Sequence, residues 1–484
     1  MEIDKSVKKV IKKIKERYGN SSDLNTRIIK KKDKEIGILF LESASSTSTI
    51  SDFITKSVIV ENKPLLKTIF NNLKNTLYTS QLFIIDNFDD FPYYLSSGFT
   101  IIVTTNSKKA IIMETRAELD RGITEATSEP TLRGSKDSFT ESHSKNLGLI
   151  RKRIKDENLW FEELKLGRRT KTRATISYIK DIADQNKINQ IKERLKKIDI
   201  DGILDSGNIR DYLTKQKSIF PQIKSSERPD LACQELLNGK IIILIENCPF
   251  ILILPTVFLD YIKSPEDQNQ KSINITFTRI LRFIALIITI ITPALYIAIV
   301  TYDQNTIPDK LLISLAVQRE GVPFPTFLEI IIFMTIFDIL RESDIRSPAN
   351  ATTAMSIVGA LVLGQSAVDA SIVSPVTIIV VAITSICSLI FQDTDFINSI
   401  RLWRFLFILS SSLLGLIGML SMSLIWITKM ATLENINTSY LSPISPLELS
   451  ANKDTILKLP TPRIFKRPKY ISDKNQTKQR RINK

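Results

Sequence analysis

The chain has 484 residues, 43% hydrophobic and 24% charged, with a net charge of +15. Those averages read as ordinary soluble protein of about three units. One histidine, His143, and three scattered cysteines, Cys233, Cys248 and Cys387, argue against a His-rich metal site, a His-based triad and a disulfide framework.

The averages mislead because the chain is segregated. Residues 277–428 carry a net charge of −2, between 1–276 at +9 and 429–484 at +8. A basic polar front and a basic tail flank a charge-poor middle.

From the N-terminus, residues 1–18 suit a basic amphipathic helix with Ile3, Val7, Val10, Ile11 and Ile14 on one face. That face could lie on anionic lipid, but a helix packed on its own domain or frayed in solvent is the stronger expectation. Residues 1–30 contain no apolar h-region, so the front is expected to stay cytoplasmic. Glu35–Leu41 and Gln81–Ile85 read as buried strands. Ser97–Thr115 reads as a glycine, a strand, a turn near Asn106–Lys109 and a second strand. Phe139–Ile154 and Ile188–Ile198 read as helices, with Thr172–Ile179 a strand between them.

Lys240–Ile262 is apolar enough to tempt a membrane assignment. Glu246, Asn247 and Pro249 interrupt it, and each half is strand-sized and β-branched. A hairpin of Lys240–Ile245 and Phe250–Pro255 is therefore expected. The glycine–strand–turn–strand device thus recurs about 140 residues on. It fits two related subdomains, or two hairpins in one mixed domain. The alternation of helices and strands favours an α/β front.

Arg151, Lys152, Arg153, Lys155, Arg168, Arg169, Lys171 and Arg173 form a basic cluster with only Trp160 and Phe161 near. No nucleic-acid module is present, so a solvated face or subunit contact is expected, and no nucleic acid. No phosphate-binding glycine motif supports nucleotide chemistry, and no cofactor is expected.

The middle contains four uncharged runs: Phe283–Val300, Ser347–Val368, Ala370–Gln392 and Phe405–Thr428, of 18, 22, 23 and 24 residues. A helix needs about 20 apolar residues to cross a bilayer. Val322–Glu342 is a fifth candidate, and Ile307–Glu320 a half-helix or interfacial segment. The expected architecture is a basic segment 1–34, a soluble α/β domain 35–270 (possible subdomains 35–130 and 131–270), an all-α multi-pass membrane domain 271–428 with four to six spans, and a basic tail 429–484. Arg279 and Arg282 agree with an inside front. Five spans would leave the tail outside, while its Lys/Arg content favours inside.

Ionisable groups inside a membrane usually face a bundle interior or water. Glu329 is the first gating or permeation candidate, with Asp338, Glu320, Gln365 and Pro375 beside it. Asp338, Arg341 and Glu342 share a helix face, where a plain salt bridge is expected. Gln365 sits among small residues that favour close helix packing, with Gly359, Ala360 and Gly364. Pro375 should kink or start its helix.

Several stretches together resemble the A subunit of the GerA-type spore germinant receptors. Arg133–Leu159 carries Arg133, Phe139, Glu141, Asn146, Arg151 and Arg153. Ile198–Ile209 reads IDIDGILDSGNI, and Phe220–Asp230 carries Glu227, Arg228, Pro229 and Asp230. Membrane stretches Arg319–Ile330, Phe337–Pro348, Ser356–Val368 and Val373–Ile386, and YLSPISP from Tyr440, add to it. The resemblance implies a multi-pass protein of the spore inner membrane. It implies a transporter-like B subunit and a lipoprotein C subunit as partners, homo-oligomerisation, and an ion path formed or gated by the A subunit. Arg133 to Asp230 would then be family-motif or subunit-interface residues. The alternative is a secondary transporter moving a solute or ion itself, although no matched inverted repeat is visible. An enzyme would need a catalytic constellation, which the residues do not suggest.

Overall fold

The computed structural model describes residues 1–484 except 32–33, 57–69, 71–72, 74–76, 78–81, 118–125, 127, 132, 215–217, 347–363, 449–453, 456 and 480–484. Gly359 and Ala360, and most of the run Ser347–Val368, therefore lie outside the described residues.

The N-terminal helix α1 (Val7–Arg17) buries Val7, Val10, Ile11 and Ile14. This apolar stripe packs on β2, as the packed alternative expects. After it come β1 (Leu24–Lys31), β2 (Lys34–Leu41), a helical stretch 47–55, β3 (Leu82–Ile85), α2 (Phe91–Ser96), β4 (Phe99–Thr104) and β5 (Ala110–Glu114). Residues 1–34, expected as a separate segment, thus contribute α1 and β1 to this first unit. The strands form an antiparallel sheet in the order β1-β2-β4-β5-β3. β3 was expected to be buried. It lies at the sheet edge, with Phe83 and Ile84 exposed.

A second unit repeats the plan. It runs α3 (His143–Arg153), β6 (Leu159–Leu166), β7 (Thr172–Ile179), α4 (Gln185–Lys196), α5 (Gly207–Leu213), β8 (Lys224–Ser226), α6 (Pro229–Leu237), β9 (Ile241–Ile245) and β10 (Ile251–Leu254). Its order is β6-β7-β9-β10-β8, again antiparallel. Both sheets therefore place their first, second, fourth, fifth and third strands side by side. In each, a helix ends at a left-handed glycine, Gly98 or Gly239, immediately ahead of the central hairpin. The recurring device seen in the sequence is thus the core of two subdomains of the same topology. Both hairpins pair as expected, and Lys240–Ile262 is no membrane helix.

Beyond the sheets the chain is helical: α7 (Ser272–Thr301), α8 (Asp309–Gln318), α9 (Thr326–Arg346), α10 (Pro375–Ser388) and α11 (Thr394–Thr432). By length and composition α7 and α11 are long and apolar enough to cross a membrane, and α10 is apolar but shorter. Pro375 starts α10, and Ser374 caps it by accepting the Thr377 N–H.

The run Phe405–Thr428 was expected to be one span, and the geometry corrects this. Gly415 has φ 60° and ψ −140°, a backbone conformation open to glycine. On a straight helix Phe407 and Trp426 would stand about 28 Å apart. Their ring centroids are 6.5 Å apart. The Ser410 hydroxyl donates to the Gly418 carbonyl at 2.7 Å. The chain therefore reverses at Gly415 into two arms, 394–414 and 416–432. Asp303, just past α7, accepts the Leu416 N–H at 2.9 Å and so caps the second arm.

The helices α9 and α10 run parallel. Glu329 near the start of α9 meets Ser374 and Thr377 at the start of α10, and Arg341 near its end donates to Ser388 at the end of α10.

The reversal is checked by cross-linking. Phe407→Cys with Trp426→Cys should be joined by a short bifunctional thiol reagent in native membranes. Resistance to every reagent shorter than about 15 Å would restore the straight helix.

Candidate functional site

Buried charges mark the seams between units. At the seam of the two sheets, Arg151 at the end of α3 is fully buried. It donates to both Asp23 carboxylate oxygens, at 3.1 and 3.2 Å, and lies over the rings of Phe161 and Tyr18. Burial opposes the Asp23 charge, but Arg151, Ser21 and Ser43 outweigh it and hold that carboxyl below its ordinary range. Arg151 thus leaves the expected basic face. Its neighbours disperse too: Arg153 pairs with Asp137, Arg173 with Glu246, and Arg168 with Asp199 and Asp201.

The other motif residues tie segment 128–139 to the second sheet. Glu227 accepts the Ser128 N–H and hydroxyl at 2.6 and 2.7 Å. Arg228 donates to the carbonyls of Glu129 and Ser135 and pairs with Asp230. Pro229 opens α6, Phe139 is core, and Asn146 clamps the Thr140 backbone. Arg133 and Glu141 are exposed. Most of these side chains therefore serve contacts within this chain.

A second seam joins the sheets to the helices. Asp267 is buried and takes Arg279 at 2.7 Å and Arg282 at 2.9 Å, both from the first turns of α7. Arg279 also donates to the tail carbonyls of Asp454 and Thr455. Nearby, Lys240 sits between Asp260 at 2.6 Å and Glu235 at 2.8 Å. Burial opposes both charges, yet their pairing raises the Lys240 amine and lowers the Asp260 carboxyl. Aromatic rings complete the joint. Phe220 stacks on Trp403, Tyr261 on Phe396, and Tyr440 from the tail packs on Phe220 and Phe258. Arg210 on α5 bonds Asp395 in the first turn of α11.

The tail lies on the sheets. Asn435 donates to the Gln222 carbonyl, and Lys187 to the carbonyls of Tyr470 and Ile471. The tail and the front thus share one end of the helical bundle.

Within the bundle Glu329 is buried, accepting the Ser374 N–H at 3.0 Å and the Thr377 hydroxyl at 2.9 Å, with Arg319 at 3.6 Å. A carboxylate there is favoured by the α10 dipole. Asp338 pairs with Arg404 at 2.7 Å and Arg401 at 3.2 Å on the first arm of α11. It was expected to form a local bridge, and it forms one between helices. Glu329 and Asp338 thus turn to different neighbours. Glu320 is exposed. Gln365 is exposed too and donates along its own helix to Asp369, so within this chain it does not join helices. Asp23, Asp267, Asp303 and Asp395 are absent from the expected site. Each is a lone acid in a loop or first turn, with its partner at least 12 positions away in sequence. No group of three or more His, Cys, Asp or Glu could hold a metal ion among the described residues.

The chain is matched over residues 12–470 by the Bacillus/Clostridium GerA spore germination protein family. It is 33% identical over 485 positions to Spore germination protein KA of Bacillus subtilis, covering 99% of this chain and 89% of that one. It is 35% identical to Spore germination protein XA of Bacillus anthracis over 80% and 79% of the two chains. The N-terminal domain of the A subunit of the Bacillus megaterium spore germinant receptor GerK3 aligns at 28% identity with TM-score 0.40, covering 53% of this chain and 98% of its own.

Two stability predictions follow from the seams. Arg151→Ala leaves Asp23 buried and unpaired, and should cost about 3–5 kcal/mol. Arg151→Met with Asp23→Leu should recover most of that, read by denaturant unfolding of the detergent-solubilised chain. A cost near the 0–1 kcal/mol of surface pairs would count against a buried seam. His143 is buried against the Thr175 hydroxyl, and burial chiefly, with Arg173 nearby, pulls its pKa down to about 4. Its folded pKa lies below the unfolded value of about 6.5, so its contribution is complete above that pH. That contribution is lost as pH falls toward and through about 4. His143→Gln should flatten the fall in thermal midpoint between about pH 6.5 and 4.

Proposed function

The chain belongs to the GerA family of Bacillus/Clostridium spore germination proteins, and from that premise we propose that it is the A subunit of a nutrient germinant receptor in the spore inner membrane. It works with a transporter-like B subunit and a lipoprotein C subunit, assembles with copies of itself, and couples nutrient binding by the complex to ion release. It does so by forming or gating an ion path, and carries out no catalysis of its own.

The joint between sheets and helices is the observation that supports coupling. The Arg210–Asp395 bond and the Phe220–Trp403 stack grip the first arm of α11 from the front domain. One or two turns on, the same arm holds Asp338 through Arg401 and Arg404. Displacement of the front domain is therefore carried to α9 by a packed helix.

The proposed topology has six crossings: α7 out, α9 back, the segment between α9 and α10 out, α10 back, and the two arms of α11 out and back. By sequence the uncharged run Ser347–Val368, 22 residues, has the length the third would need. An even number returns the tail to the side of the front domain, and both basic regions face the cytoplasm. Glu329 and the Asp303–Gly415 turn then lie toward the outer face, and Asp338 toward the inner. Glu329 pins α9 to α10 and sets the resting packing of the path. Glu320 and Gln365, exposed on the single chain, act where copies of the subunit meet.

Spores carrying Asp395→Ala should keep the protein but release cations at least tenfold more slowly after nutrient addition. Glu329→Gln should also alter release. Wild-type kinetics in both, at normal protein level, would remove the joint and Glu329 from the coupling route. Side is tested by labelling in a Cys387→Ser background. Lys474→Cys should react only from the cytoplasmic face and Asn305→Cys only from the outer one, and labelling of both from one face would break the six-crossing path.

A further inference from the structure

A cavity of about 710 Å³ opens between the front domain and the first turns of α11. Its walls come from α5 and the segment 218–223 on one side, and from Asp395, Asn398, Ser399 and Leu402 on the other. This volume suits a small-molecule site, and Arg210, Phe220 and Asp395 of the joint described above form part of its wall.

The lining contains both polar and apolar side chains. Arg210 and Asp395 neutralise one another across it. Asp211 then leaves the described lining with net negative charge, beside the Asn398 amide and the Ser218 hydroxyl. Such a surface attracts a cationic group and favours a ligand without net charge over one of net negative charge. Among the apolar lining residues, Ile219 and Leu402 are 40% and 54% exposed. Leu402 is one turn short of the uncharged stretch that begins at Phe405. The Trp403 ring is stacked on Phe220. The cavity therefore combines acidic, amide and hydroxyl groups with exposed apolar side chains close to the uncharged stretch of α11.

We propose that this cavity binds the headgroup of an aminophospholipid. The ammonium is held by Asp211, the phosphate meets Asn398 and Ser218, and the acyl chains leave past Leu402. The site rests on the membrane placement above. A lipid seated there bridges the front domain and α11, so the aminophospholipid content of the membrane adjusts the stiffness of the joint.

The test uses the full chain in phosphatidylcholine nanodiscs doped with dioleoyl phosphatidylethanolamine or dioleoyl phosphatidylglycerol, with lipid retained by the released protein read by native mass spectrometry. Phosphatidylethanolamine should be retained at least tenfold over phosphatidylglycerol. Asn398→Trp fills the cavity and leaves the Arg210–Asp395 pair in place. It should abolish the preference while keeping the thermal midpoint in pure phosphatidylcholine, and Asp211→Asn should weaken it severalfold. Equal retention of the two lipids, or unchanged preference in both variants, overturns the site. So does competition by soluble phosphoethanolamine at the lipid's own affinity, which would assign the cavity to a free solute. Failure of the chain to enter nanodiscs at all would overturn the membrane placement, whereas entry without lipid preference overturns the site alone.

Discussion

Asp267 is the point through which the three parts of this molecule are joined. Its carboxylate is buried between Arg279 and Arg282, and Arg279 reaches on to two carbonyls of the tail. Sheet domain, first long helix and tail thus converge on one acid. A charge taken out of water here is tolerable only because each oxygen has a charged donor. Removing Asp267 leaves both guanidiniums without this carboxylate, so the three parts hold position together. The direction in which α7 leaves the sheets, and with it the placement of the remaining helices, follows from this joint.

The same device recurs at the other seams. Arg151–Asp23 fastens one subdomain to its repeat, Lys240–Asp260 braces the last strand pair against the turn that precedes the helices, and Asp338–Arg404 fastens α9 to α11. Apolar packing alone would glue these surfaces in many orientations. A buried pair is satisfied in one, because its geometry is directional and the unpaired state is costly. In a subunit read as a transmitter of movement, this favours a few discrete arrangements over a soft continuum. The two-fold repetition of the sheet topology adds a second subdomain with its own core, and the aromatic collar of Phe220, Phe258, Tyr261, Phe396 and Tyr440 packs between the sheets and the helices.

Inside the helical bundle the acids are placed by helix ends. Glu329 sits at the start of α10, where backbone N–H groups and the dipole favour an anion, and Asp303 does the same for the second arm of α11. Both acids answer a need that chain reversals create: each new helix start leaves N–H groups to be satisfied where water is scarce. Their position reflects the topology of the bundle.

Local pattern in the sequence was enough for the hairpins Ser97–Thr115 and Lys240–Pro255, for the amphipathic face of α1, and for the uncharged runs of the helical region, because strand and helix periods and apolar length act within a few residues. The motifs from Arg133 to Asp230 and from Arg319 onward were enough for family membership. Tertiary structure alone decided the rest. It turned the run Phe405–Thr428 into two arms, since the reversal at Gly415 depends on Asp303 and Tyr302, more than a hundred positions away, to receive the exposed helix ends. It drew Arg151 out of an apparent basic face, because its partner Asp23 belongs to the other subdomain. It set the tail beside the front domain, where charge counts left the side open. Each of these outcomes is a pairing between residues remote in sequence, and such pairings leave no periodic or compositional trace in the chain itself.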